Sequence, residues 1–132
     1  MFVSVRLENK DGNHNKFYEM TLTKLPHNVP SKGTIRNPVQ IEIHSGRIGS
    51  SNVLQEPKDT VDGWSTWEEG YRWFTKQLKS KVGRLKEYQL RTAKASKGDE
   101  RLVSDVERIA YEFASDAKRT EEAMEYIESR WW

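Results

Sequence analysis

The hydrophobic period of this chain changes once. Up to Ile43 the apolar residues recur at every second position, and from Trp67 onward at every third or fourth. A period of two belongs to strands with one buried face, and a period near 3.6 to helices with one buried stripe. Strands gathered first and helices after them give an α+β domain rather than an alternating α/β one.

Along Phe2–Leu7, residues Val3, Val5 and Leu7 share one face and Ser4 and Arg6 the other. Asn9–Asn15 follows, rich in asparagine and holding Asp11-Gly12, residues that tolerate left-handed backbone angles, so a hairpin is expected there. Lys16–Lys24 alternates again with Tyr18, Met20 and Leu22 inward. Leu25–Pro38 carries Pro26, Pro30, Gly33 and Pro38 and reads as a long loop. Val39, Ile41 and Ile43 mark a third strand, which runs into a tight turn, Ser45–Ser51, with two glycines around Arg47. A short fourth strand fits Val53–Gln55.

Ser65 with Glu68 three residues on predicts a capping box and a helix start. Trp67, Tyr71, Phe74, Leu78, Val82 and Leu85 then fall on one stripe of a helix running to about Tyr88. A polar linker is expected over Thr92–Gly98. Beyond it, Leu102, Val103, Val106, Ile109, Ala110, Phe113 and Ala117 have helical spacing, and Thr120 with Glu121 and Glu122 caps a last helix ending near Trp131-Trp132. The expected architecture is α+β: an antiparallel sheet of three to five strands packed on one long helix over about 65–88, with C-terminal helices over about 99–117 and 120–131.

Charge is unevenly spread. Residues 1–71 carry 8 Lys and Arg against 9 Asp and Glu, residues 72–97 carry 9 against 1, and residues 98–132 carry 5 against 10. The basic middle places Arg72, Lys76, Lys79 and Lys86 on a second helical stripe, with Lys81 and Arg84 nearby. Such a stripe fits either a solvated face or a surface for phosphates, and an acidic tail packed near it would partly neutralise it. The tail's apolar stripe is expected to pack on the domain, since monomers rarely leave so large a patch exposed.

Other function classes find little support in these residues. The chain has no cysteine, which removes thiol catalysis, disulfides and Cys-ligated zinc and fits a reducing, cytoplasmic setting. No stretch approaches the length of a membrane span, and Met1–Leu7 lacks the pattern of an export signal. His14, His27 and His44 have no metal-site spacing, and the pairs Glu68-Glu69 and Glu121-Glu122 sit where helix dipoles favour them. The expectation is a protein without enzymatic activity, cofactor or metal, for which a small-molecule substrate is not anticipated.

Three blocks carry a resemblance: Asn15-Lys16-Phe17-Tyr18-Glu19 opening a strand, Gly46-Arg47-Ile48-Gly49-Ser50 after another, and Glu68-Glu69-Gly70, Phe74, Lys81 and Tyr88-Gln89 along a helix. In order and spacing, residues 1–91 resemble a WGR domain, with residues 92–132 a helical extension. The resemblance implies a curved antiparallel sheet on one helix and a role in binding nucleic acid. It carries the name-giving arginine over to Arg47, while the tryptophan position is Ser45 here. The resulting candidate binding set is Arg47, Arg72, Lys76, Lys79, Lys81 and Arg84, with DNA or RNA as partner. The alternative is a phage- or plasmid-type adaptor or inhibitor that docks on a host protein of the nucleic-acid machinery.

Overall fold

A computed structural model describes residues 1–10, 15–26, 29–31, 34–49, 54–56, 63–83 and 86–114. Seven strands and two helices follow one another along them: β1 (Phe2–Asn9), β2 (Lys16–Lys24), β3 (Val29–Ser31), β4 (Thr34–Arg36), β5 (Val39–Arg47), β6 (Leu54–Glu56), α1 (Trp67–Val82), β7 (Gln89–Ala95) and α2 (Arg101–Glu112). The fold is α+β. Four long strands form an antiparallel sheet in the order β5-β2-β1-β7, and short β6 extends it at the β5 edge.

The period-2 residues decide which face is buried. Val3, Val5 and Leu7 of β1, Tyr18, Met20 and Leu22 of β2, and Val39, Ile41 and Ile43 of β5 all enter one core. From the helices, Trp67, Phe74, Leu78 and Val82 of α1 and Leu102, Val106, Ile109 and Ala110 of α2 meet them on the same side. The result is two layers, sheet and helices. Eleven of these side chains are less than 2 % exposed, so shape as well as apolarity is fixed there.

Helix α1 approaches the sheet closely at Gly70. A Cβ on Gly70 would meet Val39 Cγ1 at 2.5 Å, Trp64 Cε3 at 3.1 Å and Leu22 Cδ1 at 3.2 Å. Just before the helix, Trp64 is tied to β5 through Val39 by two backbone hydrogen bonds, of 2.9 and 3.1 Å. Gly63, which precedes it, has φ +64°, in the left-handed region, and any Cβ there would lie 2.2 Å from the Val39 carbonyl. Trp64 is therefore held in place by backbone as well as by packing.

Several sequence expectations are corrected. The helix cap is Thr66, not Ser65: the Thr66 hydroxyl oxygen accepts the Glu69 N–H at 3.3 Å. The helix ends at Val82 rather than near Tyr88, because Gly83 leaves helical backbone angles and donates to the Lys79 carbonyl. Glu87, at φ 53°, then reverses the chain into β7. The segment expected to be a long loop holds the β3-β4 ribbon, where Pro30 is tolerated because both strands are edges. The expected linker over Thr92–Gly98 is largely β7, paired with β1. Its register slips between Arg6 and Leu7, leaving Arg91 as the extra residue of a bulge. The expected strand over Val53–Gln55 is β6, one residue later. The first tail helix is α2 alone, and the helix expected over 120–131 lies outside the described residues. Among the described residues, no helix is long and apolar enough to cross a membrane.

Candidate nucleic-acid interface

The sequence places Arg72, Lys76 and Lys79 of α1 on one stripe with Lys81 nearby, and the fold divides them. Arg72 and Lys76 are exposed one turn apart. Lys79, further along, turns toward α2, where its ammonium sits 4.7 Å from the centre of the Phe113 ring; the Asp105 carboxyl there is held below the ordinary value by the hydrogen bonds from Tyr71 and Arg108, with a small contribution from Lys79. Lys81 lies on the core side of the helix and lays its ammonium over the rings of Tyr18 at 4.2 Å and Tyr88 at 5.8 Å. Arg84 lies outside the described residues.

Two surface sites follow from this division. The first is at the start of α1. Trp64, Glu69, Arg72, Trp73 and Lys76 line a groove of about 310 Å³. The two indoles are half-buried and packed against the core, with ring centres 5.5 Å apart and planes inclined by 42°. Among the described residues, the ion pairs engage Arg6, Lys10, His44, Arg91 and Arg108 as cations, and neither Arg72 nor Lys76 takes part. Glu69 is the groove's carboxylate, and its Oε1 accepts the Thr66 hydroxyl at 3.0 Å.

The second site lies at the opposite end of the helix and sheet. Lys16, Phe17, Ser45, Gly46, Arg47 and Tyr88 line an open cleft of about 230 Å³. Arg47 is exposed at the end of β5, directly across from Lys16 of β2. Phe17 is buried beneath the Arg6 guanidinium, 4.5 Å from the ring centre. Tyr88 leans on Tyr18 with ring centres 6.4 Å apart, and burial pushes its hydroxyl above the ordinary tyrosine value. Lys81 joins this cleft through the two tyrosines. From Arg72 to Lys81 the helix rises roughly 13 Å, so the candidate cations form two clusters rather than one stripe.

On the sheet face away from the core, Arg6 bonds Glu8 at 3.0 Å and also bonds Glu19, while Lys10 and Arg91 reach Glu8 at 3.5 and 3.4 Å. Burial works against the charge on Glu8, and the Arg6 hydrogen bond with the fields of Lys10 and Arg6 outweighs it, holding the carboxyl below its usual range. These cations are committed to carboxylates of their own fold. His44 bonds Glu42 at 2.9 Å on the same face, and His14 and His27 lie outside the described residues.

Reading the sequence as stripes missed Trp64 and Trp73. Trp73 falls off the apolar stripe and directly beside Arg72, and a large aromatic ring out of phase with the core and next to cations is the signal that would have found it. In comparisons with known protein families, characterised proteins and solved structures, no family, protein or structure matches this chain.

Proposed function

We propose that this protein is a non-enzymatic nucleic-acid-binding module of the cytoplasm, built on a WGR-like framework over residues 1–91 with a helical extension over residues 92–132. The observation that carries the reading is the pair Arg72 and Lys76, exposed, without an ionic partner among the described residues, and bordering two half-buried indoles. Cations left unpaired on a rigid helix suit phosphates, and aromatic rings beside them suit bases or sugars. Arg47 with Lys16 supplies a second basic contact at the far end of the sheet. Of the blocks that carry the WGR resemblance, Lys16–Glu19 fall on β2, Gly46 and Arg47 on the end of β5, and Glu68, Glu69, Gly70, Phe74 and Lys81 on α1, whereas Tyr88 and Gln89 lie beyond the helix at the start of β7; Arg47 is the residue the resemblance assigns to binding.

The test is a set of fluorescence-anisotropy titrations at low salt with labelled single-stranded, duplex and nicked DNA and with RNA. Binding to at least one of them, weakening as salt rises, is expected. No binding to any of the four overturns the proposal.

A second reading, an adaptor or inhibitor of phage or plasmid type that docks on a host protein, is favoured by one feature of α2. Tyr111 and Phe113 are 51 % and 44 % exposed beside Glu107 and Glu112. Exposed aromatics among carboxylates suit a basic protein cleft. A Tyr111→Ala, Phe113→Ala double variant that keeps nucleic-acid affinity and loses a stoichiometric protein partner would favour that reading.

A further inference from the structure

The groove at the start of α1 has a narrower specificity than nucleic acid in general. We infer that it is a single-strand site, in which one unpaired base stacks on the Trp64–Trp73 pair and its flanking phosphates are held by Arg72 and Lys76. The inference rests on the nucleic-acid reading and adds the class of strand.

Its first support is that the indoles are fixed before anything binds. Trp64 is anchored by two backbone hydrogen bonds to Val39 and seated against Gly70, where a side chain would intrude. Trp73 projects from the middle of a regular helix. A platform already immobile loses little entropy when a base stacks on it.

Charge then selects among ligands for an aromatic site. Paired indoles next to a carboxylate are also the ingredients of a cage for cationic ligands. Among the described lining residues Glu69 is outnumbered by Arg72 and Lys76, so these side chains together carry positive charge and disfavour a cation. What fits is an anion with a flat aromatic part, which is a nucleotide within a strand.

Geometry selects the strand type. Arg72 and Lys76 are four residues apart, about 6 Å along the axis, on the scale of the step between phosphates in an extended strand. In a duplex the bases face inward and stack on one another, so their faces cannot reach an indole set between those cations. An unpaired base can.

Anisotropy titrations of the full chain with a labelled 12-nucleotide poly-dT strand, a 12-base-pair duplex and poly-glutamate test this. Tighter binding of the strand than of the duplex, by about tenfold, is expected. Trp73→Leu, which preserves apolar burial but has no ring, should weaken strand binding about tenfold and leave duplex binding unchanged, while Trp73→Phe should retain most of it. Thermal melts of both variants report that the fold is intact. Equal affinity for strand and duplex, equal affinity for poly-glutamate, or a Trp73→Leu variant that binds the strand like the parent would each overturn the inference and leave the nucleic-acid reading standing. Binding to neither the strand nor the duplex would overturn the inference, and the nucleic-acid reading would fall with it only if nicked DNA and RNA also failed to bind.

Discussion

Tyr71 donates its hydroxyl to Asp105 over 2.5 Å, joining the first half of α1 to the middle of α2. Arg108 donates to the other oxygen of the same carboxylate at 2.7 Å and to Glu112 at 3.1 Å, so the contact is the inner end of a short chain of polar groups. Replacing Tyr71 by Phe removes the donor while the ring keeps its stacking on Trp67 and Phe74. A charged hydrogen bond that is only partly buried contributes about 1 to 2 kcal/mol. Urea melts of Tyr71→Phe should show a loss of that size with an unchanged m-value.

The same pair gives stability a pH dependence at both ends. The hydrogen bond from Tyr71, then that from Arg108, holds the Asp105 carboxyl below 3.8. Its stabilisation is present above the unfolded value and is lost as pH falls through the folded one. Burial, then the bond to Asp105, raises the Tyr71 hydroxyl above 10.0, so the folded state keeps a proton the unfolded state gives up. Stability therefore falls again as pH rises above about 10. In Tyr71→Phe both arms should flatten without vanishing, since Glu8 and Tyr88 are shifted in the same directions. The melting temperature against pH, from 2 to 11, reads this directly.

Gly70→Ala sets two effects against each other. Alanine improves helix propensity by about 1 kcal/mol. Its methyl would lie 2.5 Å from Val39 Cγ1, in a residue that is 0 % exposed and has no room to yield, and such overpacking costs about 1 to 3 kcal/mol. The clash wins, so a net loss of up to about 2 kcal/mol is expected. Because Val39 also carries the backbone bonds to Trp64, tryptophan fluorescence should shift as well. A more stable Gly70→Ala protein would contradict this packing.

Most of the sheet was legible because β1, β2 and β5 contrast bulky apolar residues with polar ones at every step. β7 was not, since past Leu90 a bulge breaks the alternation and its inward residues 93 and 95 are alanines, which barely stand out from Thr92 and Lys94. The helix end was misplaced because Leu85 continues the apolar spacing past Gly83, and spacing alone does not register a residue that leaves the helical conformation. The cations of the candidate site were legible as residues but not as a site. Periodicity gives the direction of a side chain from its own axis, whereas the neighbour it meets depends on tertiary packing: α2 takes Lys79, and the sheet end takes Lys81. Trp64 precedes the helix and Trp73 falls off its apolar stripe, so spacing assigns neither of them a partner.

Deleting residues 98–132 removes α2 and uncovers β7 and one side of α1. Leu102, Val106 and Ile109 are each no more than 6 % exposed, and burying each such side chain contributes about 1.5 to 3 kcal/mol. The truncated protein should lose several kcal/mol in denaturant melts. It should also bind nucleic acid somewhat more tightly at low salt, because Lys79 is released from Asp105 and Phe113. Unchanged stability together with unchanged affinity would contradict the role given to α2.

The salt dependence of nucleic-acid binding tests the central claim most directly. For single strands the slope of log K against log salt is about −0.7 for each phosphate neutralised. Replacing Arg72 and Lys76 together by glutamine removes two such contacts at the groove while leaving the core untouched. The double variant should bind more weakly at low salt, with a slope shallower by about 1.4. A slope and affinity equal to those of the parent protein would show that phosphates do not meet this face of α1, and the account of the site would fall.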